Sequence, residues 1–166
     1  MRPAATRRRA VWLLLLAFLC LGALAGCQDR FRIAVDPMRH RCLPYAVYLI
    51  DRGNVSPERD ALFAFASIGL EPIFRDGTPF IKIMAGLPGD RVDVDATGIR
   101  VAGRPRGTVD SLVLARTGLS INAVTRHASI QPGRFLMLGT LPLSFDGRYW
   151  GDIAQGQLIA RAYPLW

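Results

Sequence analysis

The segment TPFIKIMAGLPGDRVDV, at residues 78–94, contains two short runs of strand-forming residues with a turn between them. The first run, PFIKIMA at 79–85, is almost entirely apolar, and the second, DRVDVD at 90–95, alternates apolar and charged residues. Alternation of this kind is typical of a strand with one buried face. The intervening glycines and proline are typical of tight turns. The segment therefore predicts two strands joined by a turn.

Similar short runs recur along the rest of the chain, each bounded by Gly, Pro or Asp. They are YAVYLID at 45–51, ALFAFAS at 61–67, GIRVAGRP at 98–105, GRFLML at 133–138 and QLIARAYPLW at 157–166. No helical period persists beyond the N-terminal segment, and 16 glycines and 11 prolines punctuate the chain. These patterns predict a mainly β fold, either a barrel or a folded sheet, with the hairpin at 90–105 projecting from its body.

The length and charge of the chain limit its organisation and its partners. The 166 residues are enough for one domain with a substantial core. Four of the eight net positive charges come from arginines within the first nine residues. The remaining basic residues are interspersed with acidic ones, so we expect no nucleic-acid-binding surface.

The N-terminus carries the signals of a membrane-associated protein. A basic segment at 1–9 precedes an unbroken apolar run at 10–27, whose 18 residues approach the length needed to cross a bilayer of about 30 Å. The arginines predict a cytoplasmic N-terminus, with residues 28–166 as an extracytoplasmic β-domain. We therefore expect a single-pass, membrane-tethered protein with this domain on the extracytoplasmic side.

The same segment has a second interpretation. LAGC, at 24–27, has the form of a lipoprotein cleavage site, so the run could be a removable signal that leaves a lipidated Cys27. Cys20 lies within the apolar run and is expected to be inert. In an oxidising compartment, a disulfide between Cys27 and Cys42 is chemically possible.

Lys82 is the only lysine among 21 basic residues. Arginine stays protonated, whereas burial among apolar groups can lower the pKa of a lysine by several units. The neighbours of Lys82 are apolar, and a neutral amine can act as a general base on a hydroxyl or thiol. The alternative is that Lys82 faces solvent from an alternating strand. We predict a catalytic lysine.

We expect no cofactor and no metal ion. The two histidines and three cysteines have unrelated spacings, and GLPGD lacks the lysine and helix of a phosphate-binding loop. His127, in an irregular stretch, is expected at the surface.

Three stretches together resemble the type I signal peptidase family. IKIMAGLPGDRVDV resembles the family's lysine motif, and the stretch from Met137 to Trp166 resembles its closing motif. HRCLPYAVYLID, at 40–51, occupies the place of the nucleophile motif. The short length and small insert look most like the conjugative-transfer branch, whose members process pilin precursors. The resemblance covers the chain from the anchor to Trp166.

The resemblance implies roles for individual residues. Lys82 matches the general base, and Ser144 matches a hydroxyl that orients the lysine amine. Asp146 matches the acid of the closing motif. Arg148 follows two residues later and could pair with Asp146 along an extended segment. Supporting residues are expected around these groups: Gly86, Pro88, Gly89 and Asp90 shape the turn, and Tyr149 and Trp150 pack in the core.

The chain departs from the family pattern at several positions. Cys42 stands in place of the nucleophilic serine, and His40 in place of a residue that helps to hold the oxyanion. The closing motif begins Gly139-Thr140-Leu141 rather than Gly-Asp-Asn, and Gly147 replaces its later serine. A cysteine can still pair with a lysine, either as thiol and amine or as thiolate and ammonium.

Two functions remain open at this point. The first is a membrane-anchored signal peptidase-type endopeptidase that cleaves exported precursors, including a pilin subunit bound as an extended strand, through Cys42 and Lys82. Within that site, His40 could instead be the base, since residues i and i+2 of a strand share a face. The second is a catalytically silent lipoprotein or anchored β-domain in a secretion or conjugation assembly.

Overall fold

The computed structural model describes residues 4–166, apart from the side chains of residues 4–11, 23–25 and 27. Its helices are α1 (Ala4–Arg30), α2 (Ser111–Thr117), α3 (Ile121–Val124) and α4 (Gly147–Trp150). Its strands are β1 (Phe31–Val35), β2 (Val47–Asp51), β3 (Leu62–Ala66), β4 (Pro79–Gly86), β5 (Arg91–Asp95), β6 (Gly98–Val101), β7 (Arg104–Gly107), β8 (Arg126–Ser129), β9 (Arg134–Leu138), β10 (Ile153–Ala154) and β11 (Leu158–Pro164). A short 3-10 turn, Gln155–Gln157, precedes β11.

The described strands form two antiparallel sheets. The larger sheet has seven strands in the order β1-β2-β11-β3-β4-β9-β10, and the smaller has four in the order β7-β6-β5-β8. β11 therefore lies between β2 and β3, although it comes last in the chain. Apolar clusters cover both faces of the larger sheet and the inner face of the smaller one. This architecture confirms the mainly β prediction.

The segment at 78–94 forms the link between the two sheets. β4 belongs to the larger sheet and β5 to the smaller, and the predicted turn joins them. Gly89 has φ of 89°, a conformation that favours glycine. The Asp90 carboxylate accepts a hydrogen bond from Leu87 N at 2.8 Å and pairs with Arg59, which fixes the turn.

The hairpin at 90–105 is also present, because β5 pairs with β6 from Val92↔Val101 to Asp95↔Gly98. On its outer face, the His127 ring lies 2.8 Å from the Asp93 carboxylate. This contact places His127 at the surface, as predicted.

Three short helices follow the N-terminal segment, although the sequence there shows no persistent helical period. α2 spans seven residues, beginning after Asp110, whose side chain accepts from Leu112 N, and ending before Gly118 in the left-handed conformation. α3 and α4 have four residues each, too short to show a helical period in the sequence. Residues 31–35, which were not among the predicted strands, form the edge strand β1, which pairs with β2.

The N-terminal segment forms the long helix α1. Among the residues that the structure describes, no helix is long and apolar enough to cross a membrane, so the predicted transmembrane helix at 10–27 is not supported. Several side chains of that segment, including Cys27, lie outside the described residues. Cys42 carries a free thiol, so the disulfide considered for it is not formed.

Candidate active site

A groove of about 930 Å³ runs along the larger sheet and contains the candidate nucleophile and base. Its lining includes Cys42, Lys82 and His40. The floor consists of strand residues such as Tyr48 and Ile81, and the walls come from the segment after β1, the β3–β4 loop, α2 and the loop before α4. The groove is mainly apolar, which suits an extended apolar peptide.

Lys82 lies in the middle of β4, opposite Phe63 of β3, and only 1% of it is exposed. Its amine donates a hydrogen bond to Ser144 Oγ over 3.1 Å and lies 5.7 Å from the centre of the Phe80 ring. Ser144 is completely buried. Lys82 is therefore a desolvated amine held by a single hydroxyl, and the alternative of a solvent-facing lysine is wrong.

Asp146 and Arg148 form a buried ion pair directly after Ser144. Arg148 Nη2 lies 2.6 Å from Asp146 Oδ2, and Arg148 Nε donates to Asp146 Oδ1 over 2.9 Å. Burial acts to raise the pKa of Asp146, but the hydrogen bonds and charge of Arg148, together with the charge of Lys82, hold it below its ordinary value. The sequence analysis placed this pair on an extended segment. In the structure Asp146 instead caps the N-terminus of α4.

The ion pair fixes the loop that carries Ser144. Asp146 Oδ2 accepts from Gly139 N over 2.8 Å, and Arg148 donates to Thr108 O and Gly139 O. Asp146 is not among the residues that line the groove. Its contacts are those of a positioning residue and not of a group that touches substrate.

Gly139 is the point where the nucleophile segment meets the Ser144 loop. A Cβ at this position would lie 2.1 Å from Ser144 Oγ and 2.6 Å from the Cys42 carbonyl oxygen. The Cys42 carbonyl also accepts from Thr140 N at 2.9 Å and Leu141 N at 3.2 Å. Only glycine leaves room for this approach, which links Cys42 to the residues that hold Lys82.

The structure places Cys42 and His40 in the groove, but not on a strand. Both belong to the irregular segment between β1 and β2, so the shared strand face assumed for a Cys42–His40 pair is absent. Cys42 is half-buried, whereas His40 is exposed. Among the described residues, no hydrogen bond joins the Cys42 thiol to either His40 or Lys82. The shared groove is what brings these three groups together.

Arg126 is a supporting residue that the sequence analysis missed. Its guanidinium donates to the carbonyl oxygens of Gly147 and Arg148 in α4, the second over 2.9 Å, and to Val124 O over 3.1 Å. Tyr149 contributes a further tie, because its hydroxyl accepts from Asp110 N over 3.0 Å. Trp150 packs against Phe65, with ring centroids 6.0 Å apart. These contacts hold α4, and with it Asp146, against the small sheet and α2.

Within the described part of the chain, no group of three His, Cys, Asp or Glu residues lies close enough together to hold a metal ion. Tyr48 lies on the groove floor. Its pKa is raised to about 12, mainly by burial and next by the charge of Asp36, so it keeps its proton.

The site thus combines a buried lysine amine, bound to a hydroxyl, with a half-buried cysteine in the lining of the same groove. The chain belongs to the signal peptidase family, peptidase S26, which matches residues 7–166. Among solved structures, it is similar to a signal peptidase I from Enterococcus faecalis V583, with 23% identity, covering 64% of this chain and 96% of that chain, and a TM-score of 0.40. No curated protein sequence gives a significant match.

Proposed function

We propose that the protein is an endopeptidase that removes signal or leader segments from exported precursors, with Cys42 as nucleophile and Lys82 as general base. The observation that carries this proposal is the buried Lys82 amine, which Ser144 Oγ holds at 3.1 Å within the groove that also contains Cys42. Membership of the signal peptidase family supports the choice of substrate class. The free thiol of Cys42 supports its role as nucleophile.

In the proposed mechanism, the unprotonated fraction of Lys82 reacts, and its amine takes the proton of the Cys42 thiol as Sγ attacks the scissile carbonyl carbon. The carbon–nitrogen bond then breaks, and the Lys82 ammonium returns the proton to the departing amine. A water molecule attacks the resulting thioester, again losing its proton to Lys82, and the Cys42 thiolate leaves and is reprotonated. Ser144 directs the lysine lone pair throughout.

The oxyanion of each tetrahedral intermediate needs a donor in the groove. We assign this role to the backbone N–H of Cys42, with His40 as an additional donor. The carbonyl of Cys42 is already fixed by Thr140 N and Leu141 N, which restrains the orientation of the adjoining peptide units. Preorganised donors of this kind typically contribute about 10²–10³ in kcat.

The substrate would lie in the groove as an extended strand. The unpaired edge of β1 is available for added strand pairing, and the apolar lining suits the apolar end of a leader segment. A conjugative pilin precursor is the particular substrate that we propose. Cleavage would take place on the periplasmic side of the inner membrane, with the basic segment at 1–9 and the apolar run at 10–27 as the tether.

The direct test compares variants of Cys42 and Lys82 on a secreted precursor, with cleavage followed by intact mass. We expect Cys42→Ala and Lys82→Arg to lose cleavage, because the first lacks a nucleophile and the second a group that can act as a base. Cys42→Ser should retain measurable cleavage, because a hydroxyl can use the same base. Normal cleavage by Lys82→Arg would refute the dyad.

Alkylation of Cys42 provides a second readout that does not need the substrate. If Lys82 assists ionisation of the thiol, iodoacetamide should modify Cys42 faster in the intact protein than in Lys82→Ala at the same pH. Equal rates, together with no cleavage of any precursor, would favour the alternative, a catalytically silent domain in a secretion or conjugation assembly. Lipid attached at Cys27, detected by mass, would identify that form as a lipoprotein.

A further inference from the structure

Two arginines lie side by side at one end of the groove floor. Arg32 of β1 pairs with Ile50 of β2, and Arg52 N donates to Arg30 O over 2.9 Å, which extends the ladder by one pair. Arg52 lies in the turn directly after β2, so Arg32 and Arg52 flank the same end of the β1–β2 pair. Both side chains line the groove.

Neither arginine has a carboxylate partner among the described residues. Of the acidic groups nearby, Asp51 pairs with Arg30 at 2.8 Å and Glu58 pairs with Arg161. Asp29 lines a surface pocket with Arg52 but forms no ion pair with it among the described contacts. Two neighbouring cations without a counter-ion repel each other, and an anion bound between them relieves that repulsion.

The groove as a whole is positively charged, like the arginine pair. Arg116, on α2, is a third arginine in its lining, and among the described residues of that lining Asp36 is the only acidic one. The Asp36 carboxylate accepts from Met38 N over 2.9 Å, on its own segment. The groove thus presents excess positive charge to whatever occupies it.

Apolar residues connect the arginine pair with Cys42. Ile50, Tyr48 and Ala34 follow Arg32 along the same face. Tyr48 packs in one cluster with Leu43, the residue next to Cys42. Tyr48 lies in β2, and Arg52 directly follows that strand, four residues further along the chain. Four extended residues span about 13 Å. A bound extended peptide would also need about four residues to cover this distance.

We propose that the groove recognises precursors carrying an acidic side chain about four residues from the scissile bond, with apolar residues between the two. This inference rests on the proposed function, since it assigns a substrate preference to the same groove. The acidic side chain binds between Arg32 and Arg52, and the apolar residues cover the floor formed by Ile50 and Tyr48.

The test is a binding measurement with Cys42→Ala protein, which separates recognition from cleavage. Fluorescent ten-residue apolar peptides would carry one Asp, moved through successive positions, with Asn and Lys at the same positions for comparison. At the preferred position we expect the Asp peptide to bind about fivefold more tightly than the Asn peptide, the effect of two solvated charge contacts. Added salt should reduce this preference.

Two double variants are compared. The first combines Arg32→Gln with Arg52→Gln, and the control combines Arg100→Gln with Arg104→Gln. Both remove two positive charges, but Arg100 and Arg104 are exposed on β6 and β7 and do not line the groove. The first variant should lose the preference for Asp, and the control should keep it. Equal binding of Asp and Asn peptides, binding of none of the peptides, or an equal loss in the control would overturn the proposal.

Two further comparisons complete the test. The first measures binding to phosphatidylglycerol vesicles, with phosphatidylcholine vesicles for comparison. If loss of Arg32 and Arg52 weakens binding to the phosphatidylglycerol vesicles but not to the peptides, the arginines bind lipid headgroups and the proposal fails. Cleavage of the same peptides by the unmodified protein is measured separately. Cleavage without a preference for Asp refutes only this inference, whereas a preference for Asp without cleavage refutes only the peptidase.

Discussion

The Lys82 amine and the Ser144 hydroxyl lie 3.1 Å apart, although 62 positions separate these residues in the sequence. Lys82 is held by the hydrogen bonds of β4 to its two neighbouring strands. Ser144 is held by the loop that Asp146, Arg148 and Gly139 stabilise. The geometry of the amine therefore depends on two separately stabilised parts of the fold, and substitutions in either part should affect it.

Replacing Ser144 with alanine should lower kcat with little change in KM. The hydroxyl contributes a hydrogen bond to a buried amine, a contact typically worth about 1–2 kcal/mol, so we expect roughly a tenfold loss in kcat. The measurement is steady-state cleavage of a fluorogenic precursor peptide. Ser129→Ala, on the exposed part of β8, is the control and should leave kcat unchanged. A larger effect on KM than on kcat would contradict the orienting role.

Replacing Gly139 with alanine should affect both stability and catalysis. The added Cβ would meet Ser144 Oγ at 2.1 Å and the Cys42 carbonyl at 2.6 Å, so the two segments must separate. We expect a loss of about 1–3 kcal/mol in the free energy of unfolding and loss of most activity. Denaturant unfolding and peptide cleavage provide the measurements. At Gly156, no atom lies within 4 Å of an added Cβ, so Gly156→Ala should match the unmodified protein in both.

Acid should destabilise the protein through Asp146. Its pKa is lower in the folded than in the unfolded protein, so its contribution to stability is present above the ordinary aspartate value of about 3.9 and is lost as the pH falls through the folded value. Asp146→Asn should leave Arg148 buried without its anion and cost about 3–5 kcal/mol at neutral pH. The free energy of unfolding, measured against pH, should fall less steeply in acid for this variant. A steeper fall would contradict the assignment.

Arg126→Gln should reduce kcat without abolishing folding. Arg126 donates to two carbonyl oxygens of α4, so its loss should loosen the helix that Asp146 caps. We expect about a tenfold decrease in kcat, with partial recovery in Arg126→Lys, which retains the charge. Arg134→Gln is a suitable control, because Arg134 also makes two bonds, but to Asp152 beyond α4. Equal kinetic losses in both variants would indicate a general structural effect.

Several strands of both sheets could be predicted from local sequence. Residues 79–85 and 90–95 have strand patterns strong enough to place β4 and β5, and the solitary lysine in β4 indicated the centre of the site. α2 could have been found from its capping residues, Asp110 and Gly118, although seven residues are too few for a clear helical period. Short helices depend mainly on tertiary packing, so pattern alone does not identify them.

The contacts of Arg126 and Gly139 could not be predicted in this way. Each depends on an approach between segments that are distant in sequence, and neither residue carries a local pattern that specifies its partner. The expectation that His40 and Cys42 share a strand face failed for a related reason. The expected strand began only at Val47, because the preceding residues bond to Thr140, Leu141 and Trp166 instead of continuing the ladder.

The position of β11 has a consequence for the order of folding. This strand pairs with β2 on one side and β3 on the other, so it separates the part of the sheet that follows Cys42 from the part that contains Lys82. Until residues 158–164 have been synthesised and inserted, β2 and β3 have no common neighbour, and the contacts of Cys42 with residues 139–141 are the link between the two parts of the site. Pairings this distant in sequence form slowly. A nascent chain should therefore complete the larger sheet only at this late step.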